Sequence, residues 1–192
     1  MPGTTELPVR LRAADREALT QHFLALGPED RRLRFGATLS DDAIRALEER
    51  IDFDRDEIFG IAGEDLSLLA VVHVAFYPDG RAELGLSVLP PARGQGLGNA
   101  LFSRAVMHLV NRGVREVFVH CIAENAAMLH IARKHGMRVV HEGGESDARL
   151  ALARPTPASV LAEWFVDQNA RLVHEARRAA RAYLGQPLAR KV

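Results

Sequence analysis

Arg93-Gly94-Gln95-Gly96-Leu97-Gly98 is the stretch from which the fold of this chain can be read. Its three glycines fall between an apolar, strand-like run ending at Leu89 and a run of helical period from Gly96 to Arg112. That position puts several unhindered backbone N–H groups at a helix N-terminus, where unpaired donors and the helix dipole favour an anion such as phosphate. Gly96 and Gly98 remove side chains where a pyrophosphate has to approach the backbone, and Arg93 adds a positive charge beside it. A glycine-rich turn that only joins a strand to a helix has the same spacing, so the surroundings must decide. A dinucleotide-binding unit needs an acidic residue at the end of the next strand, about 20 residues on; here that distance reaches Glu116, at the wrong end of the strand. A P-loop needs lysine and then serine or threonine after its last glycine, and Gly98 is followed by Asn99 and Ala100.

Outward from this turn, the chain changes period twice. Before it, from Asp56, short apolar runs at Ile58 to Ala62, Leu66 to Tyr77 and Ala82 to Leu89 are divided by Gly63-Glu64-Asp65 and Pro78-Asp79-Gly80, which predicts three consecutive antiparallel strands. Earlier still come a strand at Val9 to Ala13, a helix through Leu19, Phe23 and Leu26 stopped by Gly27-Pro28, a second helix toward Phe35, and a third capped by Ser40. After the turn the order is helix, a strand at Glu116 to Cys121, a helix at Asn125 to His135, and strands near Met137 to His141 and Ala148 to Ala153. This is an α+β pattern with a mixed, mostly antiparallel sheet flanked by helices, filling one domain over 1–154. Pro155-Thr156-Pro157 then punctuates the chain, and a C-terminal helical extension over 155–192 carries one long helical pattern from Ala158 to Leu184. Trp164, Phe165 and Tyr183 are its large apolar anchors, and we expect Trp164 to be buried, either on the chain's own domain or against a second subunit in a homodimer.

Composition sets the bounds. The 192 residues, 47% of them hydrophobic, suffice for one sizeable core, and 25 basic residues balance 25 acidic ones. Net charge therefore gives no reason to expect a nucleic acid or an anionic membrane as partner. No export signal begins the chain and no window nears ~18 apolar residues, so the expected setting is cytoplasmic. Cys121, the single cysteine, lies in a strand-like run and reads as a buried inert thiol. Of the eight histidines, His130 and His135 are five apart, off the spacing that puts two ligands on one helical face, and no metal is assigned.

The strand Glu83 to Leu89, the Arg-x-x-Gly-x-Gly turn, the helix after it, the strand Val117 to Cys121, and Asn125 with Gly136-Met137 together resemble the core of GNAT acetyltransferases, over about Val9 to Ala153. The resemblance implies acetyl-CoA as cosubstrate. It places the pyrophosphate on Arg93, Gly94, Gln95, Gly96, Leu97, Gly98 and Asn99, the pantetheine arm along Leu86 and Val88, and Asn125 near that arm. A helix-capping role alone would also account for Asn125. Many members carry a tyrosine seven residues after this asparagine to protonate the departing thiolate; here the position is Ala132. The runs Leu26 to Phe35 and Asn125 to Arg133 are similar to the acetyltransferase domain of bacterial Pat-type protein lysine acetyltransferases, in which a glutamate at the start of the strand before the turn is the general base. That position is Glu83. A protonated amine must lose its proton before it attacks a thioester, and a carboxylate can take it. Burial near Leu84 and Phe76 is expected to raise the Glu83 pKa toward the useful range. The implied reaction is transfer of acetyl from acetyl-CoA to a primary amine, on a protein lysine or a small molecule, by direct attack in a ternary complex. The alternative, suggested by Ala132, is a weak or inactive coenzyme A-binding regulatory module.

Overall fold

The computed structural model describes residues 7–184, with side chains to Arg181; Met1 to Glu6, 185–192 and the Tyr183 anchor lie outside the described residues. The chain opens with β1 (Val9–Arg10), α1 (Arg16–Leu24), α2 (Pro28–Phe35) and α3 (Asp41–Glu49). Pro28 at the first helical position starts α2 and Gly36, at φ 76°, ends it in the left-handed conformation. Ser40 caps α3 by accepting from the Ala43 N–H at 3.2 Å.

The expected strands follow as β2 (Glu57–Ala62), β3 (Leu68–Phe76) and β4 (Arg81–Val88), then α4 (Leu97–Asn111), β5 (Glu116–Ile122), α5 (Ala126–Lys134), β6 (Arg138–Glu142) and β7 (Glu145–Ala151). One seven-stranded sheet results, in the order β1-β2-β3-β4-β5-β7-β6. All neighbours are antiparallel except β4 and β5. The last strand begins at Glu145, three residues before the sequence expectation, because Gly143 and Gly144 take positive φ and close a two-residue hairpin that lets Glu142 pair with Glu145.

Side chains that alternate along the strands divide the core in two. On one face Val72, Val74, Ala82, Leu84 and Val119 pack under α4 and α5, around Leu101, Phe102 and Leu129. On the other, Ile58, Leu68 and Val71 meet Leu19, Phe23 and Ile44 of α1 and α3. The buried His22 ties α1 to this second face, with Nδ1 2.8 Å from the Leu68 carbonyl and Nε2 2.8 Å from Ser87 Oγ. Burial lowers its pKa to about 4, so the ring is neutral, donates to the carbonyl and accepts from the hydroxyl.

The extension forms α6 (Pro157–Leu184), which lies against α4 and β1. Its seam is polar. Arg104 of α4 donates to Glu163 at 2.9 Å and to Asp167, and stacks on Phe59 with its Cζ 4.3 Å from the ring centre. His108 Nδ1 meets the same Glu163 at 2.7 Å, while Asn111 bonds Glu163 and the Ser159 carbonyl. The expected burial of Trp164 on this domain is not found: Trp164 is 53% exposed and Phe165 59%. The helix turns Glu163 inward to meet Arg104, and the adjacent Trp164 and Phe165 are thereby carried to the outer side.

Candidate acetyl-CoA and acceptor site

Pairing between β4 and β5 covers only Arg81 with Glu116, Ala82 with Val117 and Glu83 with Phe118, although β4 continues to Val88 and β5 to Ile122. Beyond Glu83 the two strands part. The Leu89 N–H bonds the Leu69 carbonyl and the Tyr77 N–H bonds the Arg81 carbonyl, so odd-numbered peptide groups of β4 face β3. Alternation then turns the N–H and C=O groups of Leu84, Leu86 and Val88 into the gap. Leu86 and Val88 thus stand where an extended amide-bearing chain can add to the strand edge.

The glycine turn closes the end of this gap. After a 3-10 turn at Pro90–Ala92, Gly94 and Gly96 adopt φ of 76° and 80°, and a Cβ on either would meet nothing within 4 Å. Both are therefore glycine for conformation, a left-handed turn that other residues enter at a cost of roughly 1–2 kcal/mol. Among the described residues, the N–H groups from Gly94 to Asn99 have no backbone acceptor; the first helical bond runs from the Ala100 N–H to the Gly96 carbonyl. Gly98 also answers a packing demand. A Cβ there would lie 2.8 Å from Ile131 Cδ1, so its bareness lets α4 approach α5 and β4.

The arginine and amides of the turn are held from outside. Arg93 pairs with Asp30 of α2 at 2.5 Å and reaches the Val88 carbonyl at 3.3 Å, while Gln95 donates to the Pro91 carbonyl at 3.3 Å. Asn99 Oδ1 is buried with no partner among the described residues. Asn125 caps α5, accepting from the Met128 N–H at 3.0 Å, and donates to the Leu33 carbonyl at 3.2 Å, so that its amide locks α5 to α2. Ala132, in place of the tyrosine, is buried. Burial raises the pKa of Cys121, as befits an inert thiol.

Glu83 sits at the last paired position before the gap and projects from the α1–α3 face, opposite to the turn of Leu84 toward α4. Its apolar surroundings are not the expected ones: Leu84 and Phe76 belong to the other face, because neighbours along a strand point opposite ways, and the residues paired with Glu83 on its own face are Ala75 and Phe118. Two polar groups join them. Tyr77 donates to Glu83 Oε2 at 2.9 Å, and the carboxylate raises the Tyr77 pKa in return. Across the strand edge lies Arg34 of α2, whose guanidinium covers Gly85 so closely that a Cβ there would be 2.4 Å from its Cζ. Tyr77 and Arg34 were not singled out from sequence. The hairpin register, with Ala75 opposite Glu83, made Tyr77 legible as a diagonal neighbour; nothing local marks Arg34. Among the described residues no group of His, Cys, Asp or Glu could hold a metal ion, and no helix is long and apolar enough to cross a membrane.

A strand edge opens beside a glycine-rich helix start, and comparison with known proteins gives this arrangement a family. The model of the Acetyltransferase (GNAT) family matches residues 29–137, more than half of the chain, which therefore belongs to that family. It is 32% identical over 155 residues to a mycothiol acetyltransferase of Cellulomonas flavigena, covering 70% of this chain and 42% of that relative. Among solved structures it is similar to the GNAT domain of S. lividans PAT, with a TM-score of 0.64 at 19% identity over 76% of this chain and 89% of that one. It is likewise similar to the spermidine N-acetyltransferase of Vibrio cholerae in complex with CoA and spermine, with a TM-score of 0.60 at 16% identity over 75% of this chain and 94% of the other. Acetyl-CoA is the cosubstrate of this family, and the open backbone groups and unhindered turn fit it.

Proposed function

We propose that this protein transfers the acetyl group of acetyl-CoA to a primary amine by direct attack in a ternary complex, residues 1–154 forming the catalytic domain and 155–192 a C-terminal extension whose helix α6 lies against it. One observation supports this above the others: the β4–β5 pairing ends at Glu83, so the open strand edge and the candidate base begin at the same point of the sheet. The N–H groups of Gly94 through Asn99, with Arg93, hold the pyrophosphate; the peptide groups of Leu86 and Val88 hold the pantetheine, with Asn125 fixing the neighbouring helix start. Acetyl-CoA supplies the activated thioester carbonyl. Glu83 accepts the proton of the acceptor ammonium, and Tyr77 orients its carboxylate. Holding both reactants on one sheet, from opposite faces, supplies the proximity that a ternary mechanism needs.

The acceptor is an amine on a protein or a small molecule; likeness to the PAT domain at 19% identity supports the fold and carries no substrate with it. The exposed Trp164 and Phe165 suit a homodimer contact, and the site belongs in the cytoplasm, where acetyl-CoA is made available. The second reading, a coenzyme A-binding module without turnover, rests on the buried Ala132 where many relatives carry the thiolate's proton donor. Incubating the protein with acetyl-CoA and a panel of peptides and amines, while following free thiol, separates them. Amine-dependent thiol release is expected; binding of acetyl-CoA with no release for any amine would favour the module.

A further inference from the structure

A cavity of about 240 Å³ opens on the α1–α3 side of the sheet. Its apolar walls are Phe23, Phe35, Leu47 and Ile51, and its polar groups are Arg34, Arg50, Asp56 and His73. Asp56 is already engaged, with Oδ2 2.8 Å from His73 Nε2. Arg50 donates only to the Ala46 carbonyl of its own helix, at 3.2 Å, and makes no ion pair among the described residues. Arg34 has neither a hydrogen bond nor an ion pair among the described residues, and its Nε is buried without a partner. Its guanidinium lies over the edge-to-face pair of Phe35 and Phe23, 5.0 and 5.8 Å from their ring centres, and over the bare Cα of Gly85.

A guanidinium partly withdrawn from water without an anion carries a desolvation cost, and two aromatic faces recover only part of it. Burial lowers the Arg34 pKa to about 10 against the pull of Glu83, which still leaves it charged at neutral pH. Glu83 and Gly85 lie two residues apart on one strand face, about 7 Å, so the cation and the candidate base are neighbours. His73, opposite Gly85 in the register, joins the cavity to β4.

From this arrangement we infer that the acceptor is a small amine that also bears a carboxylate: the carboxylate seats on Arg34 and Arg50, the apolar side group fills the cavity, and the amine lies at Glu83. This rests on the transfer reading proposed above and names its acceptor class. Guanidinium groups match a carboxylate in charge and in two-point geometry. A phosphate dianion would carry a second charge past Asp56 and a larger desolvation cost. The volume lies below the ~300–1,000 Å³ of drug-sized sites and suits a body of amino-acid size.

The test compares L-leucine and L-phenylalanine with their amides, and with O-phosphoethanolamine, as acceptors. For the wild type we expect kcat/KM at least about 10-fold higher for the acids than for the amides, expressed in KM, as a charged hydrogen-bonded pair is worth. Arg34→Gln and Arg50→Gln should each bring that ratio to within about 3-fold of one, with Arg34→Lys keeping part of it. Gly85→Ala, which places a methyl where the guanidinium rests, should lower the ratio without removing a charge. A wild-type ratio near one, a ratio unchanged in these variants, or preference for phosphoethanolamine would overturn the inference. Calorimetry with acetyl-CoA keeps the two readings apart: release of coenzyme A thiol as readily with amides as with acids as acceptors overturns the acceptor class alone, while absence of acetyl-CoA binding overturns the transfer reading. Equilibrium dialysis of labelled L-leucine then decides the cavity by itself, with weaker binding expected in Arg34→Gln and equal binding against it.

Discussion

Two arginines approach the sheet from opposite faces, and only one has been given anions by the fold. Arg104, under α4, is 3% exposed, meets Glu163 and Asp167, and lies over Phe59. Arg34, under α2, lies over Phe23 and Phe35 and meets no carboxylate among the described residues. The first is a closed structural device that docks α6; the second is a charge left open beside Glu83. A buried ion pair contributes little net stability, yet removing one partner strands the other. Charge satisfied within the fold marks assembly, and charge left unsatisfied beside a cavity marks recognition.

The largest effect expected falls on neither arginine but on the glycine turn of the α4 side. Gly96→Glu combines a left-handed backbone with a carboxylate at the helix start, and should abolish measurable coenzyme A binding in calorimetric titration. Unchanged affinity in a folded variant would remove the cofactor assignment. On the opposite face, Glu83→Gln should keep coenzyme A affinity and lower kcat by about 10² to 10⁴. That loss should shrink as pH rises and more of the acceptor amine is already deprotonated, so equal kcat for the two proteins from about pH 6 to 9 would demote Glu83.

The arginines themselves come next. Arg104→Ala strands Glu163 and Asp167 in a partly buried seam and should cost about 3–5 kcal/mol in urea unfolding. Arg34→Gln removes an uncompensated cation and should change stability by less than about 1 kcal/mol. Similar losses for both would break the contrast.

The α6 seam also predicts a pH profile. Burial pushes the Glu163 pKa up, but hydrogen bonds from His108 and Asn111 and the charge of Arg104 outweigh it and bring it down to about 2. Its contribution, at most about 3 kcal/mol, is then complete above its unfolded pKa near 4.5 and disappears as pH falls toward 2. His108 behaves oppositely. Burial opposes its charge, but Glu163 and Glu57, the latter 3.4 Å away, win and raise its pKa above the ordinary 6.5. Its stabilisation is present below 6.5 and fades as pH rises through the raised value. Unfolding midpoints should therefore peak between about pH 4.5 and 6.5, a maximum that His108→Gln should shift upward; a flat profile would mean that α6 is held by packing alone. The smallest effect expected is Tyr77→Phe, which frees one oxygen of Glu83 and should alter kcat by no more than about 10-fold, with its acid limb displaced.

The glycine turn was readable because its information is local: three glycines in six residues dictate a left-handed backbone and a bare helix start without any distant partner. The strand order from β2 to β4 was readable for the same reason, since alternation and turn residues are properties of adjacent positions. Even so, the sequence does not show that the bare Cα of Gly98 also serves packing against Ile131, thirty-three positions away in the chain. Glu83 was found at its position, but its surroundings were read along the strand instead of across it, which placed Leu84 and Phe76 beside it in error. Of the two burials expected for Trp164, the one on its own domain is not found, because the ion pairs of the adjacent Glu163 turn the Glu163 side of the helix inward.

By itself, then, the sequence determined what short-range sterics and periodicity can carry: the strands and helices, the α+β class, the glycine turn at a helix start and the position of a carboxylate before it. Only the tertiary structure decided which charges neutralise one another. Arg34, Arg50 and His73 are separated along the chain and line one cavity only in the folded sheet, two residues along β4 from Glu83 where Arg34 covers Gly85. Coulomb interaction and desolvation depend on distance and burial, quantities that no spacing in the chain encodes.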